Sequence, residues 1–456
     1  MSKTIELFYE ISKIPRESGN EENIANYICN FAKERNLYYE KDKHNNVIIK
    51  KKNSEKKPII LQAHMDMVCE KENGLEFDFS KDEIKIYEEN GYLKAKGTTL
   101  GADNGIGVAQ ILNILDSDIN CNIEAIFTVS EETTMIGAEN INISSLNGKE
   151  MINLDGFEEN TIIIESASFF DIILKSNYEF SANNLSNIYT ISLEGLEGGH
   201  SGFDIDKDKG NASVLLAEFL RKLENIELVE FVGGTKFNVI PSTAKCVFFS
   251  TERKQKVEKH ISDFIKTYKE KYNNLQLKLK EESNLRNNLY SLNKVDSLDF
   301  VNSILSFKHG VFYKNKENVT TSMNLGVVDL KNQELKIGMR SSREKEEKEC
   351  IKYLETYAKE NNFKFIILSS QPGFETKEDS KFVQKIKGAF EKIESKSLNI
   401  KPVHITVESG FFKEKIKDLE IAIISPKILN AHTVNECVSI ESVKKCDKWL
   451  EEILKN

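Results

Sequence analysis

The 456-residue sequence is poor in several things that would mark a special environment. Only 6 prolines and 23 glycines occur, which excludes collagen-like repeats and Pro/Gly-rich disorder. No uninterrupted apolar run exceeds four residues, far short of the about 20 that a membrane-spanning helix needs. The start, MSKTIELFYE, has no basic stretch followed by an apolar one, so no export signal is expected. Seven cysteines are scattered, and none forms a CxxC pair. That argues against a Cys-type zinc site and against a disulfide framework, and leaves reduced thiols. Basic residues are in deficit, 63 Lys+Arg against 72 Asp+Glu, for a net charge of −9. A phosphate-backbone binder should carry a basic face. The expectation is a cytoplasmic protein with neither nucleic acid nor membrane as partner.

What is there reads as strands alternating with helices. Ile5, Phe8 and Ile11 fall at helical spacing, and Pro15 with the polar stretch Arg16 to Asn20 breaks that helix. A second helix should bury Ile24, Ile28, Phe31 and Ala32. Short β-rich runs follow at Val47–Ile49, Ile59–Leu61, Ile123–Val129 and Met151–Leu154, with a helix over Ile106–Leu115. This predicts an α/β catalytic domain, a mixed sheet layered by helices. From about Phe170 the strands become amphipathic and the helices long and charged. A weak repeat runs Phe237-Asn238-Val239-Ile240, a strand at Cys246–Phe249 and a helix at Lys254–Lys271. It recurs as Met323-Asn324-Leu325, a strand at Leu335–Met339 and a helix at Glu344–Glu360. The two asparagines are 86 apart. The α/β pattern resumes after Gln371-Pro372-Gly373, with a helix at Phe382–Ile393, a strand ending near Val407, a strand at Ile421–Ile424 and a closing helix at Val443–Leu454. The expected division is 1–169 and 371–456 for a catalytic domain split in sequence, and 170–370 for an inserted α+β lid domain of two similar halves.

The residues that carry chemistry gather at strand ends. His64 ends the strand run Ile59 to His64, and Asp66, two residues on, points the same way and can orient the imidazole. Asp103 sits in Gly97-Thr98-Thr99-Leu100-Gly101-Ala102-Asp103-Asn104-Gly105-Ile106-Gly107. This is a Gly-rich entry to a helix, but not a phosphate-binding GxxxxGK[ST], and its central acid would repel phosphate. Glu131-Glu132, Asp155 and His432 each follow a predicted strand, and in open α/β sheets those ends form the ligand crevice. So many carboxylates are costly to bury unless cations compensate them. Two divalent ions resolve this, zinc first, with manganese or cobalt as alternatives. Asp103 would bridge, His64 and Asp155 would hold one ion, and Glu132 and His432 the other. That leaves Glu131 as base for a metal-bridging water. His200, in Gly198-Gly199-His200-Ser201-Gly202, is a candidate donor to an oxyanion. Asn238 and Arg340 lie on the insert, and Arg340 could pair with a substrate carboxylate. Glu408-Ser409-Gly410, preceded by His404, reads as a substrate loop. His44, His260 and His309 read as surface positions.

The set LQAHMDMV, GTTLGADNGIG, SEETTMIGAEN, NLDG, GGHSG, FNVIP, QPGF, ESGFF and NAHT resembles the aminoacyl-histidine dipeptidases, also called cytosol non-specific dipeptidases, of the M20 metallopeptidase clan. The resemblance runs from about Ile14 to Val443. It implies a two-zinc catalytic domain with a lid. It implies His64, Asp103, Glu132, Asp155 and His432 as ligands, Glu131 as general base, Asp66 as orienter and His200 as transition-state stabiliser. It also implies a cis peptide between Asp103 and Asn104. Two stretches depart from the family pattern: Thr133-Thr134, where relatives more often carry a small pair, and His404–Ser409. The resulting expectation is hydrolysis of small unblocked dipeptides of broad sequence, with Xaa-His dipeptides as candidates. The alternatives are a tripeptidase or N-acyl amino acid deacylase of the same clan, or a non-catalytic peptide-binding paralogue. A homodimer stays open. The insert is long enough for two lid units, so catalysis should need no residue from a partner.

Overall fold

Ile59 to His64 is a run that buries every one of its six side chains, the mark of a strand covered on both faces. In a computed structural model, which describes residues 2–182, 187–282 and 289–455, this strand is the axis of a nine-stranded sheet. It is preceded by helices α1 (Lys3–Ile11) and α2 (Glu22–Glu34) and strands β1 (Tyr38–Lys41) and β2 (Val47–Lys51), and is labelled β3. Strand β3 pairs in parallel with Ile123–Thr128 on one side and Glu150–Asn153 on the other. Glu420–Ile423 continues the parallel set beside Glu150–Asn153. Register fixes where the chain emerges: His64 lies opposite Thr128, and Gln62 opposite Asn153. Three chain segments therefore leave the sheet at neighbouring carboxyl ends. Helix α3 (Ala102–Asp116) packs on this sheet and buries most of its length. Each fully buried Ile or Leu of β3 contributes about 1.5–3 kcal/mol over an exposed position.

The chain divides into two compact units. The first comprises Met1–Ser166, Pro372–Val403 and Val407–Asn456, and the second Ala167–Gln371 with His404–Thr406. The short segment His404–Thr406, expected within the 371–456 part of the catalytic domain, belongs to the second unit. The strand expected to end near Val407 is Asn399–Val403. Hydrogen bonds to the second unit explain the departure. Ala167 N–H donates to the Ile405 carbonyl (2.9 Å), Arg340 Nη1 donates to Thr406 Oγ1 (2.9 Å), and His404 Nε2 lies 2.8 Å from Ser322 Oγ.

The second unit has its own core and its own nine-stranded sheet. In order the strands are Gln276–Glu281, Asn187–Glu194, Ala244–Ser250, Ile226–Gly233, Asn318–Asp329, Glu334–Ser341, Ser168–Lys175 and Lys364–Gln371, with Gly310–Asn315 beside Asn318–Asp329. Amphipathic helices Lys254–Tyr268 and Glu344–Glu360 bury Val257, Ile261, Phe264 and Cys350, Leu354, Tyr357 respectively. All seven cysteines are free, and six are buried. Among the described residues no helix is long and apolar enough to cross a membrane. His44, His260 and His309, read as surface positions, are half-buried.

Gly410, expected in a substrate loop, sits in the short helix Ser409–Lys415. A Cβ there would lie 1.8 Å from the Pro372 carbonyl oxygen, so this position has no side chain because backbone occupies the space. Gly410→Ala should destabilise the fold by about 1–3 kcal/mol, the usual cost of forced overpacking, read as a lowered Tm. An unchanged Tm with a raised KM would instead place Gly410 against substrate.

Candidate active site

The strand ends and the entry to α3 bring five of the expected residues into contact. His64 Nε2 lies 3.1 Å from Asp103 Oδ1 and 3.7 Å from Asp155 Oδ1. His432 Nε2 lies 2.9 Å from Asp103 Oδ2 and 3.1 Å from Glu132 Oε2. Asp103 thus presents one oxygen to each imidazole, the arrangement a bridging carboxylate requires. Glu131 joins from the other side: one donor atom each from His64, Glu131 and Asp155 lies within 4.8 Å of the others, as do those of His64, Asp103 and Glu132. Glu132 Oε1 is buried with no hydrogen-bond partner, which a cation would supply. Imidazole and carboxylate donors without thiolate suit zinc or manganese. The residues present fit two divalent ions.

The electrostatics say the same. Burial opposes a charge on His64, but its contacts with Asp103, Asp155 and Asp66 outweigh it and raise the pKa well above the ordinary value. His432 is pushed up to about 11 by Asp103 and Glu132. Burial favours a protonated Asp103, yet the two imidazoles hold it well below the usual carboxylate range. Glu132 is pushed up to about 7, by burial first and then by Asp103. Burial raises Glu131 strongly, with Asp155 and Glu132 adding to it against His64. In the absence of metal, protons neutralise the excess acid.

Neighbouring groups hold each ligand in place. The Asp66 carboxylate accepts from the backbone N–H of Glu131 (3.1 Å) and Glu132 (3.2 Å) and from Ser18 Oγ (2.7 Å). His64 Nδ1 is nearer the Asp66 backbone oxygen, at 3.2 Å, than its carboxylate, at 3.4 Å. Asp66 therefore orients the Glu131–Glu132 turn at least as much as the imidazole. Asn104 Nδ2 donates to the Leu154 carbonyl (3.1 Å) and Asp155 Oδ1 (3.0 Å), and the Asp103–Asn104 peptide is cis. The Glu436 carboxylate accepts from the N–H groups of Leu100, Gly101 and Asp103 at 2.8, 2.8 and 3.2 Å, tying the His432 segment to the Asp103 loop. Glu436 carries no sequence signal beyond its place four residues after His432. Glu408 is fully buried, accepting from Thr128 Oγ1 (2.7 Å) and from Gln62 Nε2, with its second oxygen unpartnered. Burial raises it to about 7.

His200, Asn238 and Arg340 come together in the second unit. Gly199-His200 pairs with Val239-Ile240, and Ser201 N–H donates to the Asn238 carbonyl (2.9 Å). His200 Nδ1 accepts from Gly202 N–H (3.1 Å), so its proton sits on Nε2. Burial, then Arg340, lowers its pKa to about 4, so the ring is neutral at pH 7. Arg340 is buried over the Phe169 ring at 4.4 Å and reaches Ser201 Oγ at 3.4 Å. His404 joins this group, its Nδ1 buried without a partner.

Comparison with known proteins adds an independent line. The model of peptidase family M20/M25/M40 matches residues 60–456. The cytosol non-specific dipeptidase of Escherichia coli (strain K12) is 32% identical, with 99% of this chain and 96% of that protein covered. The crystal structure of aminoacylhistidine dipeptidase from Vibrio alginolyticus matches at a TM-score of 0.85 and 28% identity, over 99% of this chain and 96% of that one. A tripeptidase from Staphylococcus aureus matches at a TM-score of 0.57 and 16% identity, over 99% and 97%, which shows the fold alone.

Because His432 is pushed up to about 11 and Glu132 to about 7 without metal, this side of the cluster holds protons at pH 7 that an incoming cation must displace. Titration with Zn²⁺ should release about one proton or more per molecule, measured calorimetrically in buffers of different ionisation enthalpy. Apparent affinity should rise with pH. Proton-neutral binding would contradict this electrostatic picture.

Proposed function

Because the chain belongs to peptidase family M20/M25/M40, we propose that it is a metal-dependent dipeptidase acting on unblocked dipeptides of broad sequence, Xaa-His dipeptides among the candidates. The observation that carries this is Glu131, a half-buried carboxyl beside the His64–Asp155 side of the cluster, with its backbone N–H held by Asp66. The near-full-length likeness to two dipeptidases supports the substrate class. A cytoplasmic location is part of the proposal, supported by seven free thiols.

We assign His64 and Asp155 to one ion, Glu132 and His432 to the other, and Asp103 to both, with zinc the first choice and manganese or cobalt the alternatives. Bound divalent cations supply Lewis acidity, which acidifies water and polarises a carbonyl. Glu131 takes a proton from the attacking water and delivers it to the departing amine nitrogen as the C–N bond breaks. Asp66 keeps that carboxyl in place by gripping the turn that carries it. His200, neutral with its proton on Nε2, is assigned as donor to the oxyanion. Arg340, with Asn238 nearby, is assigned to the substrate carboxylate, and Glu408 to the substrate pocket.

The second unit is, on this reading, built from two similar halves. In one, Asn187–Glu194 is flanked by Ala244–Ser250 and Gln276–Glu281, which are joined through helix Lys254–Tyr268. In the other, Ser168–Lys175 is flanked by Glu334–Ser341 and Lys364–Gln371, joined through helix Glu344–Glu360. The second strand and helix start 90 residues after the first (334 against 244, 344 against 254). The asparagine pair is out of that register. Asn238 lies on a turn, while Asn324 lies in a strand and donates to the Phe237 and Val239 carbonyls (both 2.8 Å).

Two tests follow. Glu131→Gln should retain its metals and lose about 10²–10⁴ in kcat, the usual worth of acid–base catalysis. Loss of the metals instead would make Glu131 a ligand. In a panel of Ala-Ala, an Xaa-His dipeptide, a tripeptide and an N-acetyl amino acid, the two dipeptides should be cleaved, and cleavage should vanish on chelation and return with Zn²⁺, Mn²⁺ or Co²⁺. Preference for the tripeptide or the acylated substrate would overturn the dipeptidase reading.

A further inference from the structure

The polar turn between α1 and α2 has no place in the chemistry above, yet three of its side chains reach three separate ligand-bearing loops. Arg16 is only 2% exposed. Its Nη1 donates to the carbonyls of Met65 (3.0 Å) and Asp66 (3.2 Å), just beyond His64, and its Nη2 donates to the carbonyl of Gly101, two residues before Asp103. Ser18 Oγ donates to Asp66 Oδ2 (2.7 Å). The buried Glu21 carboxylate accepts from the N–H (3.0 Å) and Oγ (3.1 Å) of Ser130, the residue before Glu131, which is held at φ 56°. The backbone joins in, with Met67 N–H donating to the Arg16 carbonyl (3.1 Å).

The glycines of the Asp103 loop point to the same design. A Cβ at Gly101 would lie 2.4 Å from Arg16 Nη2, and one at Gly105 would lie 2.7 Å from it. Gly101 and Gly105 thus leave room for a guanidinium. A planar guanidinium, with donors in a fixed fork, can bind carbonyls from two loops at once, whereas an ammonium has no such rigid span. The loops carry carboxylates that repel one another, and chain connectivity alone does not fix their separation.

We propose that Arg16, with Ser18 and Glu21 on the same turn, is a positioning residue that sets the spacing of the His64, Asp103 and Glu131–Glu132 loops and so prepares the cluster for its cations. The proposal rests on reading the cluster as a divalent-metal site.

The test compares Zn²⁺ and Mn²⁺ affinities, by competition with a chromophoric chelator, for wild type, Arg16→Met, Arg16→Lys, Ser18→Ala, Glu132→Ala and Phe390→Ala. Phe390 is a fully buried core side chain packed on Trp449, and its truncation controls for lost stability. All measurements are made on protein shown to be folded by circular dichroism. Arg16→Met should weaken binding by about 10- to 100-fold, as loss of a group supporting metal ligands typically does. Arg16→Lys should not recover it, and Phe390→Ala should lower Tm with affinity unchanged. Wild-type affinity in Arg16→Met, or an equal loss in Phe390→Ala, would overturn the proposal. If Arg16→Met does not fold, Ser18→Ala decides: weakened binding supports the proposal and wild-type binding overturns it. If wild type binds no more tightly than Glu132→Ala, the metal-site reading itself fails, and the proposal with it.

Discussion

Like charges held at contact distance are the constraint on which the rest of this structure depends. Asp103, Glu131, Glu132 and Asp155 converge on two imidazoles, and Asp66 and Glu408 lie close behind. In a poorly solvated place such a group is unstable unless counter-charge or hydrogen-bond donors meet each oxygen. The protein uses both. His64 and His432, both with raised pKa, face Asp103, backbone N–H groups meet Asp66 and Glu436, and the Arg16 guanidinium is buried alongside. Glu132 Oε1 remains unpaired, and on the proposed reading a cation would meet it.

The fold serves this constraint by register. Parallel pairing of β3 with its two neighbours aligns His64 with Thr128 and Gln62 with Asn153, so Glu131–Glu132 and Asp155 emerge beside His64. The sheet brings the acids together, and side-chain ties between loops then fix their spacing: Asn104 to Asp155, Glu436 to the Asp103 loop, and Glu21 to the Ser130 turn. The second unit solves a different problem. There burial and a neighbouring cation keep His200 neutral, the form in which it would serve the proposed role of donor to an oxyanion.

Much of this was legible in the sequence, for physical reasons. A strand buried on both faces shows as a continuous apolar run, so an acid or histidine just beyond it stands out, and His64, Glu131–Glu132 and Asp155 were found that way. Helix faces such as Ile24, Ile28 and Phe31 show by period and are buried as expected. The supporting residues were hidden because each acts on backbone far away in sequence. Arg16 reaches residues 49 to 85 positions off, and Glu436 more than 330. A polar turn and a lone acid carry no periodic signal of such contacts. Gly410 shows a related limit of sequence signal, since a glycine set against a neighbouring carbonyl looks the same in sequence as one that clears a path for substrate. The strand expected to run to Val407 failed because side-chain bonds from Ser322 and Arg340 draw His404–Thr406 into the other unit.

The central claim is that this cluster is a two-cation site with Asp103 shared between the ions. Anomalous diffraction from crystals grown with zinc, collected on both sides of its absorption edge, tests it most directly. The account predicts two peaks about 3.5–4 Å apart, one reached by His64, Asp103 and Asp155 and the other by His432, Asp103 and Glu132. A single peak, or two peaks without Asp103 between them, would contradict it.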